Sequence, residues 1–551
     1  MELSRRTFLT GAVALPALGA LAGPLTFTEN AYAASAVGDV VGKISVGYQG
    51  WFACTGDGAP INGWWHWSQD WSRPPSPSNN AIKAWPDMRE YAKTYQTAYS
   101  NFNGGGAATL FSSYDQTTVN THFSWMQQNG CDTAALQRFN PNSSEGPTRD
   151  AMATKVRQAA EATGRKFYIM YDASGWTNMQ SEMKTDWTNK MSALTASGAY
   201  ARQNGKPVVC IWGFGFNDGN HPWSASVCLD VVNWFKAQGC YVIGGVPREW
   251  RTGVGGSRAG FLGVYHAFNM LSPWMVGAIG NATDSDNVYQ QFNVPDQADC
   301  NANGIDYQPC VLPGDLSARQ RVHGDFMWRQ FYNMVRVGAQ GIYISMFDEY
   351  GEGNQIAKTA ESQSQVPAGS GLLALNEDGT VCSSDYYLRL TADGGRMLKK
   401  QIALTATRPT PPVATSGTPG TTVVSLRAHA NGKYVTAPGG GAQPLIAAST
   451  AVGVAETFDM ITVGTNQVAF RAHANGLIVT AENAGANPLI ANRTAIQLWE
   501  TFNVTHNPDG STSFTAAVNS RFVTAENAGA SALIANRTAV GGWEEFDVTS
   551  L

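Results

Sequence analysis

Three carboxylates follow a hydrophobic run in the stretch YISMFDEYGEGNQI, residues 343–356. They are Asp348, Glu349 and Glu352, and a glycine stands on each side of the last one. Two glutamates three residues apart on a turn can face one cleft, where one donates a proton and the other takes the opposite role. Cleavage of a glycosidic bond requires such a pair. The same residues could instead begin a helix, make loop hydrogen bonds or hold a calcium ion.

The run before these carboxylates is typical of a buried strand, and seven similar runs precede it. The candidate strands are 43–50, 132–138, 166–172, 207–213, 240–246, 271–276, 307–312 and 341–347. Amphipathic patterns at helical spacing, such as 149–164 and 224–239, lie between most of them. Eight strand–helix units within residues 38–407 predict an α/β fold, a (β/α)8 barrel of the TIM type.

In such a barrel the carboxyl ends of the strands line the functional face. Here those ends are rich in Trp, Tyr, Asp, Glu, Arg and His, and aromatic rings stack well on the apolar faces of sugars. The residues we predict to contact a substrate are Tyr48, Trp51, His66, Trp67, Asp172, Trp176, Glu249, Trp274 and Tyr350. We expect about half of the tryptophans of the first loop to pack internally. Weaker candidates at other strand ends are Arg248, Asp218, His221 and Asp315.

The C-terminal part contains an internal repeat. LRAHANGKYVTA, FRAHANGLIVTA and FTAAVNSRFVTA begin at residues 426, 470 and 514, a period of 44 residues. Three copies of short alternating strands joined by turns predict an all-β domain over 422–551, a β-trefoil. These repeats resemble the fascin-like trefoils attached to secreted polysaccharide-degrading enzymes. The recurring His429, His473, Asn483 and Asn527 could serve hydrogen bonding within the repeat or contact a glycan.

The two remaining segments have their own composition. Residues 408–421 are rich in Pro, Thr, Ser and Gly and predict an extended linker. Residues 1–33 combine SRRTFL, an apolar stretch and a terminal AYA, which is typical of a twin-arginine signal peptide. We therefore expect a secreted, extracellular protein with no membrane contact after cleavage, although an uncleaved anchor is the alternative.

Composition narrows the class of ligand. The net charge is −5, charged residues make up 14% of the chain, and there are 17 tryptophans. This balance argues against nucleic acid as a partner and favours neutral ligands with ring faces. No phosphate-binding G-x-x-x-x-G-K-[ST] loop, H-E-x-x-H or C-x-x-C motif occurs, so we expect no cofactor and no metal. A monomer with a polysaccharide substrate is the simplest expectation.

The eight cysteines suggest two kinds of environment. Cys300 and Cys310 flank a short polar loop that a disulfide could close outside the cell. Cys131, Cys210 and Cys240 lie in or beside apolar runs, where we expect buried thiols.

The stretch 343–356 resembles the final-strand motif of the barrel glycosidases of families 71 and 99, in which two glutamates separated by two residues precede G-T-Q-I. VGYQGWF (46–52) with WWHWS (64–68) resembles their first strand and loop, and FYIMYDASGW (167–176) resembles their third strand. The resemblance implies a retaining glycosidase. Glu349 would assist the 2-hydroxyl of the sugar, and Glu352 would act as acid and then base.

The chain departs from the family 99 pattern between the two glutamates. That family has Trp-His where this chain has Tyr350 and Gly351, and its G-T-Q-I-E becomes GNQIA (353–357). The mannoside specificity of family 99 is therefore not implied. The sequence predicts a secreted retaining glycoside hydrolase with a trefoil that attaches it to a polysaccharide. The alternative is a non-catalytic carbohydrate-binding or adhesion protein on a glycosidase barrel.

Overall fold

The computed structural model describes residues 35–413, 421–464, 467–494, 496–507 and 509–551. The chain divides into two compact units, Met1–Val413 and Ala414–Leu551. The predicted signal peptide at 1–33 lies outside the described residues. Within the described ranges, no helix has the length and apolar character needed to cross a membrane.

Parallel strands form a curled sheet in the first unit. They are β1 Ile44–Tyr48, β2 Thr133–Arg138, β3 Lys166–Asp172, β4 Lys206–Trp212, β5 Tyr241–Val246, β6 Met270–Pro273, β7 with segments Asp306–Tyr307 and Cys310–Val311, and β8 Ile342–Ile344. The first segment of β7 pairs with β6, the second pairs with β8, and β8 pairs with β1. The sheet therefore closes into the TIM-type barrel that the eight apolar runs predict.

Helices alternate with these strands. They are α1 Gln116–Gln128, α2 Gly146–Thr163, α3 Met179–Asp186, α4 Ala225–Ala237, α5 Leu262–Tyr265, α6 Ala282–Val288, α7 Val294–Asn303, α8 Asp325–Arg336 and α9 Tyr386–Leu398. Shorter π and 3-10 turns extend α3 and join α6 to α7. Local chemistry sets several ends: the Ser224 side chain accepts from the Val227 amide at the start of α4. Gly164 takes a left-handed conformation at the end of α2.

Burial explains why the barrel strands could be recognised from the sequence. Every residue of β1, β2 and β5 is buried. A parallel strand covered on both faces reads as a nearly continuous apolar run, which is the pattern found here. Polar side chains are therefore concentrated where the strands end.

The segment 408–412 does not behave as the extended linker that its composition predicts. Arg408 forms an ion pair of 2.7 Å with Asp325, and the Thr410 hydroxyl donates to Asp393 at 2.6 Å. Arg389 donates to the carbonyls of Pro411 and Pro412. These residues therefore belong to the first unit, because charged side chains bind the backbone that proline leaves extended. Residues 414–420 of the predicted linker lie outside the described residues.

The cysteines correct a second expectation. Cys300 and Cys310 are both buried thiols, and no disulfide joins them. Each lies in packed structure, Cys300 in α7 and Cys310 in β7. Cys131, Cys210 and Cys240 are buried thiols, as predicted.

The second unit is an antiparallel sheet of short strands. They are β9 Thr421–Ala428, β10 Tyr434–Thr436, β11 Ile446–Ser449, β12 Phe458–Gly464, β13 Gln467–Ala472, β14 Ile478–Ala481, β15 Leu489–Arg493, β16 Phe502–His506, β17 Thr512–Ala516, β18 Arg521–Thr524, β19 Ile534–Arg537 and β20 Phe546–Ser550. Leu445 donates to the Leu489 carbonyl, Leu489 to Leu533, and Leu533 back to Leu445, each at 2.8 Å. The repeats therefore close a threefold ring.

Hydrogen bonds within this unit engage the repeated histidines. His429 Nε2 lies 2.7 Å from Asp547, and His473 Nε2 lies 2.7 Å from Asp459. Asn483 and Asn527 have φ of +51° and +55°, a conformation that asparagine tolerates better than most residues. These contacts favour the structural role over glycan contact.

Candidate active site

The end of the last barrel strand is anchored to the end of the first. Asp348 accepts hydrogen bonds from the backbone amides of Gln49 at 2.7 Å and Gly50 at 2.8 Å. The side chain is fully buried, and this burial raises the pKa of Asp348 to about 6 although the two amides oppose the shift. Because each carboxylate oxygen accepts one backbone N–H, Asp348 anchors the end of β8 to the loop after β1.

Glu349 is held by the same loop. Gln49 donates through its side-chain amide to Glu349 Oε2 at 2.6 Å, and the Glu349 side chain is 4% exposed. A side chain on Gly351 would place Cβ 3.1 Å from Glu349 Oε1, so glycine leaves room for the carboxylate. An amide donor stabilises the ionised form of the carboxylate, which suits a group that accepts a proton.

Glu352 lies three residues further along a short turn and has a different environment. Its side chain is partly exposed, whereas that of Glu349 is buried. The Asn354 amide closes the turn by donating to the Glu349 carbonyl at 3.1 Å. Two carboxyl groups with such unlike surroundings are suited to different proton-transfer roles.

Buried Arg321 braces this turn from the barrel side. Its guanidinium donates at 2.8 Å to the carbonyls of Gly353 and Gln355. Gly353 has φ of +72°, and a Cβ there would lie 2.8 Å from Asp315 Oδ1. The turn therefore requires glycine at this position and fits tightly against Asp315, one of the weaker predicted site residues.

An aromatic group follows the end of β1. The Trp51 ring stacks on His66 with centroids 3.6 Å apart and also lies parallel to Phe139 at 5.7 Å. The Arg149 guanidinium lies 5.9 Å from the Trp51 ring and donates to the Gln49 carbonyl. Burial, and secondarily the charge of Arg149, lowers the pKa of His66 well below 6.5, so its ring is neutral near pH 7. Trp51 and His66 therefore form one half-buried platform.

The predicted residues on the other strand ends are also held in place. Asp172 accepts from the Gln137 amide at 2.8 Å and from the backbone amide of Ser174 at 3.0 Å. Glu249 accepts from Arg248 Nε at 2.8 Å. Trp274, 9% exposed, meets Trp212 edge to face at 5.4 Å. Each lies at the carboxyl end of its strand, but Asp172 is only 1% exposed and therefore belongs to the packed interior, contrary to its predicted contact with substrate.

Four further residues predicted to contact substrate are also part of the packed interior. They are Tyr48, Trp67, Trp176 and Tyr350, all 0% exposed. Tyr48 faces α1 and bonds His122, Trp67 donates to the Phe111 carbonyl, Trp176 bonds Glu182, and Tyr350 donates to the Lys358 carbonyl. Because their polar atoms have internal partners and their rings are covered, we assign them packing roles instead of ligand contact.

The tryptophans of the loop after β1 differ in their burial, and about half of them pack internally, as the sequence predicts. Trp64 and Trp67 are buried, Trp51 and Trp65 are half-buried, and Trp71 is 43% exposed. Two residues that matter were not singled out from the sequence, namely Gln49 and Arg149. The polar Gln49 directly after an apolar strand was the available signal, whereas Arg149 resembles any charged residue of an amphipathic helix.

Metal-ligand geometry occurs elsewhere in the described ranges. The one group of three ligand-type side chains found there comprises His429, Asp509 and Glu545 in the second unit. This group is largely exposed and is not near the glutamate pair in sequence.

No protein-family model and no curated protein sequence matches the chain. Among solved structures, it is similar to the GH99 endo-alpha-mannosidase from Bacteroides thetaiotaomicron, with 14% identity, a TM-score of 0.48, and coverage of 66% of this chain and 98% of that one. It is also similar to ThreeFoil, a designed 3-fold symmetric protein, with 17% identity, a TM-score of 0.22, and coverage of 23% and 99% respectively. A Polyporus squamosus lectin shows 14% identity, a TM-score of 0.22, and coverage of 24% and 50%. At these identities the likeness concerns the course of the backbone.

Proposed function

We propose that the barrel is a retaining glycoside hydrolase acting on a polysaccharide or glycan, with Glu349 and Glu352 as its catalytic carboxylates. The observation that supports this most is their pairing at the end of β8 in unlike environments. Glu349 is buried and accepts the Gln49 amide at 2.6 Å, whereas Glu352 is partly exposed. Glycosidic cleavage needs this combination of a proton acceptor and a proton donor.

The roles follow from these environments and from the family resemblance. Glu349 takes the proton of the 2-hydroxyl as that oxygen attacks C1, and Glu352 protonates the departing glycosidic oxygen. Glu352 then takes a proton from water as the water opens the epoxide-like intermediate at C1, and Glu349 returns its proton to the 2-oxygen. Two inversions at C1 retain the anomeric configuration.

Substrate contact falls to the exposed part of the rim. Trp51, Trp65 and Trp71 retain accessible ring surface, which can stack on the apolar faces of sugar rings. Glu249 is partly exposed and, with Trp274, lies at the end of another strand, where both can bind sugar hydroxyls. Asp172 is only 1% exposed, so it positions the loop after β3 instead of contacting sugar. The departures from family 99 between the glutamates leave the sugar and linkage to experiment.

The second unit is proposed to be a β-trefoil that holds the enzyme on its glycan, in an exported monomer. The closed threefold ring of Leu445, Leu489 and Leu533 supports the trefoil assignment.

The proposal that the protein is exported rests on the twin arginines and the AYA site of residues 1–33. N-terminal sequencing of protein recovered from the medium tests this: a start at Ala34 supports export, and retention of Met1 contradicts cleavage.

The activity can be tested on the full mature chain. Wild type, Glu352→Gln and the exposed control Glu161→Gln are incubated with α-mannan, α-1,3-glucan, arabinan and xylan, and new reducing ends are measured. We expect release by wild type and the control, and a loss of at least about a hundredfold in Glu352→Gln, the scale for removing a general acid. Binding to one polymer without release by any of the three proteins would instead favour the non-catalytic alternative.

A further inference from the structure

A second chain of polar groups joins the loops after β3 and β4, away from the glutamate pair in sequence. Ser174 Oγ lies 3.0 Å from His221 Nε2. His221 Nδ1 lies 2.8 Å from both oxygens of Asp218. The serine is thus bonded to one imidazole nitrogen and the carboxylate to the other, which is the order of a nucleophile, a base and a group that orients the base.

The partners of His221 select one tautomer of its neutral ring. An ionised Asp218 can only accept, so Nδ1 carries a proton, and in the neutral tautomer Nε2 offers its lone pair to the serine. Ser174 then donates its hydroxyl proton to Nε2, and the lone pairs of Oγ remain available. His221 and Asp218 have side chains 2% and 4% exposed, whereas Ser174 is partly exposed. The base and the carboxylate that orients it are therefore both shielded from solvent.

The backbone makes room for this arrangement. Gly213 has φ of +112°, and a Cβ there would lie 2.8 Å from His221 Cδ2 and 2.9 Å from Nε2, so only glycine admits the imidazole. The Gly175 amide donates to the Asn220 carbonyl at 2.9 Å, and Asp172 accepts from the Ser174 amide. These bonds hold the two loops in register, so the serine and the imidazole are positioned before any ligand arrives.

Aromatic side chains surround the base. The rings of Phe216, Trp212 and Trp223 lie 5.2, 5.5 and 5.9 Å from the His221 ring. They exclude water from the imidazole and strengthen its hydrogen bonds. Trp223 Nε1 is buried and has no hydrogen-bond acceptor among the described residues, which leaves an N–H donor beside the base.

We propose that Ser174 and His221, positioned by Asp218, form an acyl-transfer site that hydrolyses carboxylic esters, such as acyl groups on sugar hydroxyls. Ser174 Oγ bonds to the acyl carbon while its proton passes to His221 Nε2. The ester's C–O bond breaks, and the leaving alcohol takes that proton. Water then attacks the acyl-serine, gives a proton to His221 and releases the carboxylic acid, while the proton returns to Ser174.

A fluorophosphonate probe tests the site on the full chain without any glycan, so its outcome is independent of the glycosidase proposal. Ser174 Oγ would displace fluoride from phosphorus, and peptide mass spectrometry would locate the adduct. We expect labelling of Ser174 in wild type and in the control Ser181→Ala, which changes an exposed serine of α3. Ser174→Ala removes one oxygen from a partly exposed residue and should abolish the adduct while the protein stays folded.

Two variants test the partners. His221→Gln should slow labelling at least about a hundredfold, the scale for losing a general base. Asp218→Asn should slow labelling and move its pH profile to lower pH, because the imidazolium loses its counter-charge; a purely structural carboxylate would leave the profile in place. Absence of an adduct on Ser174 in wild type, or labelling at the wild-type rate in His221→Gln, would overturn the proposal.

Discussion

The side-chain amide of Gln49 donates a hydrogen bond of 2.6 Å to Glu349, joining the end of the first barrel strand to the end of the last across 300 residues of sequence. Asp348 reinforces the connection by accepting the Gln49 backbone amide at 2.7 Å. Gln49 thus positions both carboxylates: its backbone amide binds Asp348, and its side-chain amide binds Glu349. The proposed catalytic roles of Glu349 and Glu352 depend on this closure of the barrel.

Gln49→Leu should weaken catalysis while keeping the barrel closed. The variant retains the backbone amide bound by Asp348 but removes the donor to Glu349. A hydrogen bond to a charged group contributes about 1.5–3 kcal/mol, so kcat should fall about tenfold to a hundredfold. The control Gln128→Leu changes an exposed glutamine of α1 and should leave kcat unchanged. Equal kcat in the two variants would show that the amide does not support Glu349.

The turn that carries Glu352 should be sensitive to a single methyl group. In Gly353→Ala the new Cβ would lie 2.8 Å from Asp315 Oδ1, in addition to the strain at φ of +72°. A displacement of the Glu352 carboxylate by a fraction of an ångström to about 1 Å should lower turnover by about tenfold to a hundredfold.

Gly371→Ala is the matched control for this turn. Its φ is +71° and no atom lies within 4 Å of the new Cβ, so it carries the backbone strain without the clash. Equal turnover and equal melting temperatures in the two variants would contradict a tight fit against Asp315.

The buried Asp348 carboxyl should make stability depend on pH. Burial raises its pKa from 3.8 to about 6 in the folded chain. Between these values the folded state holds a proton that the unfolded state has lost, so the free energy of unfolding falls as pH rises from 4 to 6. The shift corresponds to about 3 kcal/mol at most.

Denaturant unfolding of the first unit at several pH values measures this contribution. Asp348→Asn should be less stable throughout because its amide group cannot accept both backbone N–H bonds. The difference in free energy of unfolding between wild type and this variant should shrink from pH 4 to pH 6. Only wild type loses the stabilising contribution of the protonated carboxyl over this window. A deficit that stays constant over this window would contradict the raised pKa.

Equivalent asparagines should support each repeat of the second unit equally. Asn431, Asn475 and Asn519 donate to the carbonyls of Ala447, Ala491 and Ala535 at 2.8, 2.8 and 2.9 Å. Each change to alanine should lower the free energy of unfolding of this unit by about 1 kcal/mol. Asn492→Ala, which removes an exposed bond to Glu482, is the control. A threefold difference among the three losses in free energy of unfolding would argue against a symmetric ring.

The barrel strands were predictable because burial on both faces leaves a continuous apolar run that local sequence displays. The burial of rim aromatics was not predictable in the same way. Trp67 is covered by Phe52 and Phe111, with ring centroids 4.0 and 5.0 Å away, and Phe111 lies more than forty residues further along the chain. A tryptophan that will stack on a sugar and one that will pack on phenylalanine have the same local sequence.

The glutamate pair could be proposed because its spacing is a short local motif, whereas the hydrogen bond that Gln49 makes to Glu349 could not be inferred from the sequence. A single polar residue after a strand has no periodicity, and its role appears only when barrel closure brings β1 beside β8. The triad of Ser174, His221 and Asp218 was predictable in part. Asp218 and His221 stood out as polar residues at a strand end, but the hydrogen bond between His221 and Ser174 forms only when the loops after β3 and β4 fold together.

The most direct test of the account is the rate at which Glu352→Gln releases reducing ends from the polymer that wild type cleaves, compared with Glu161→Gln at equal melting temperature. The account predicts a loss of at least about a hundredfold in the first variant and an unchanged rate in the second. Turnover by Glu352→Gln within a few-fold of wild type would contradict the assignment of Glu352 as the acid and base of a glycoside hydrolase.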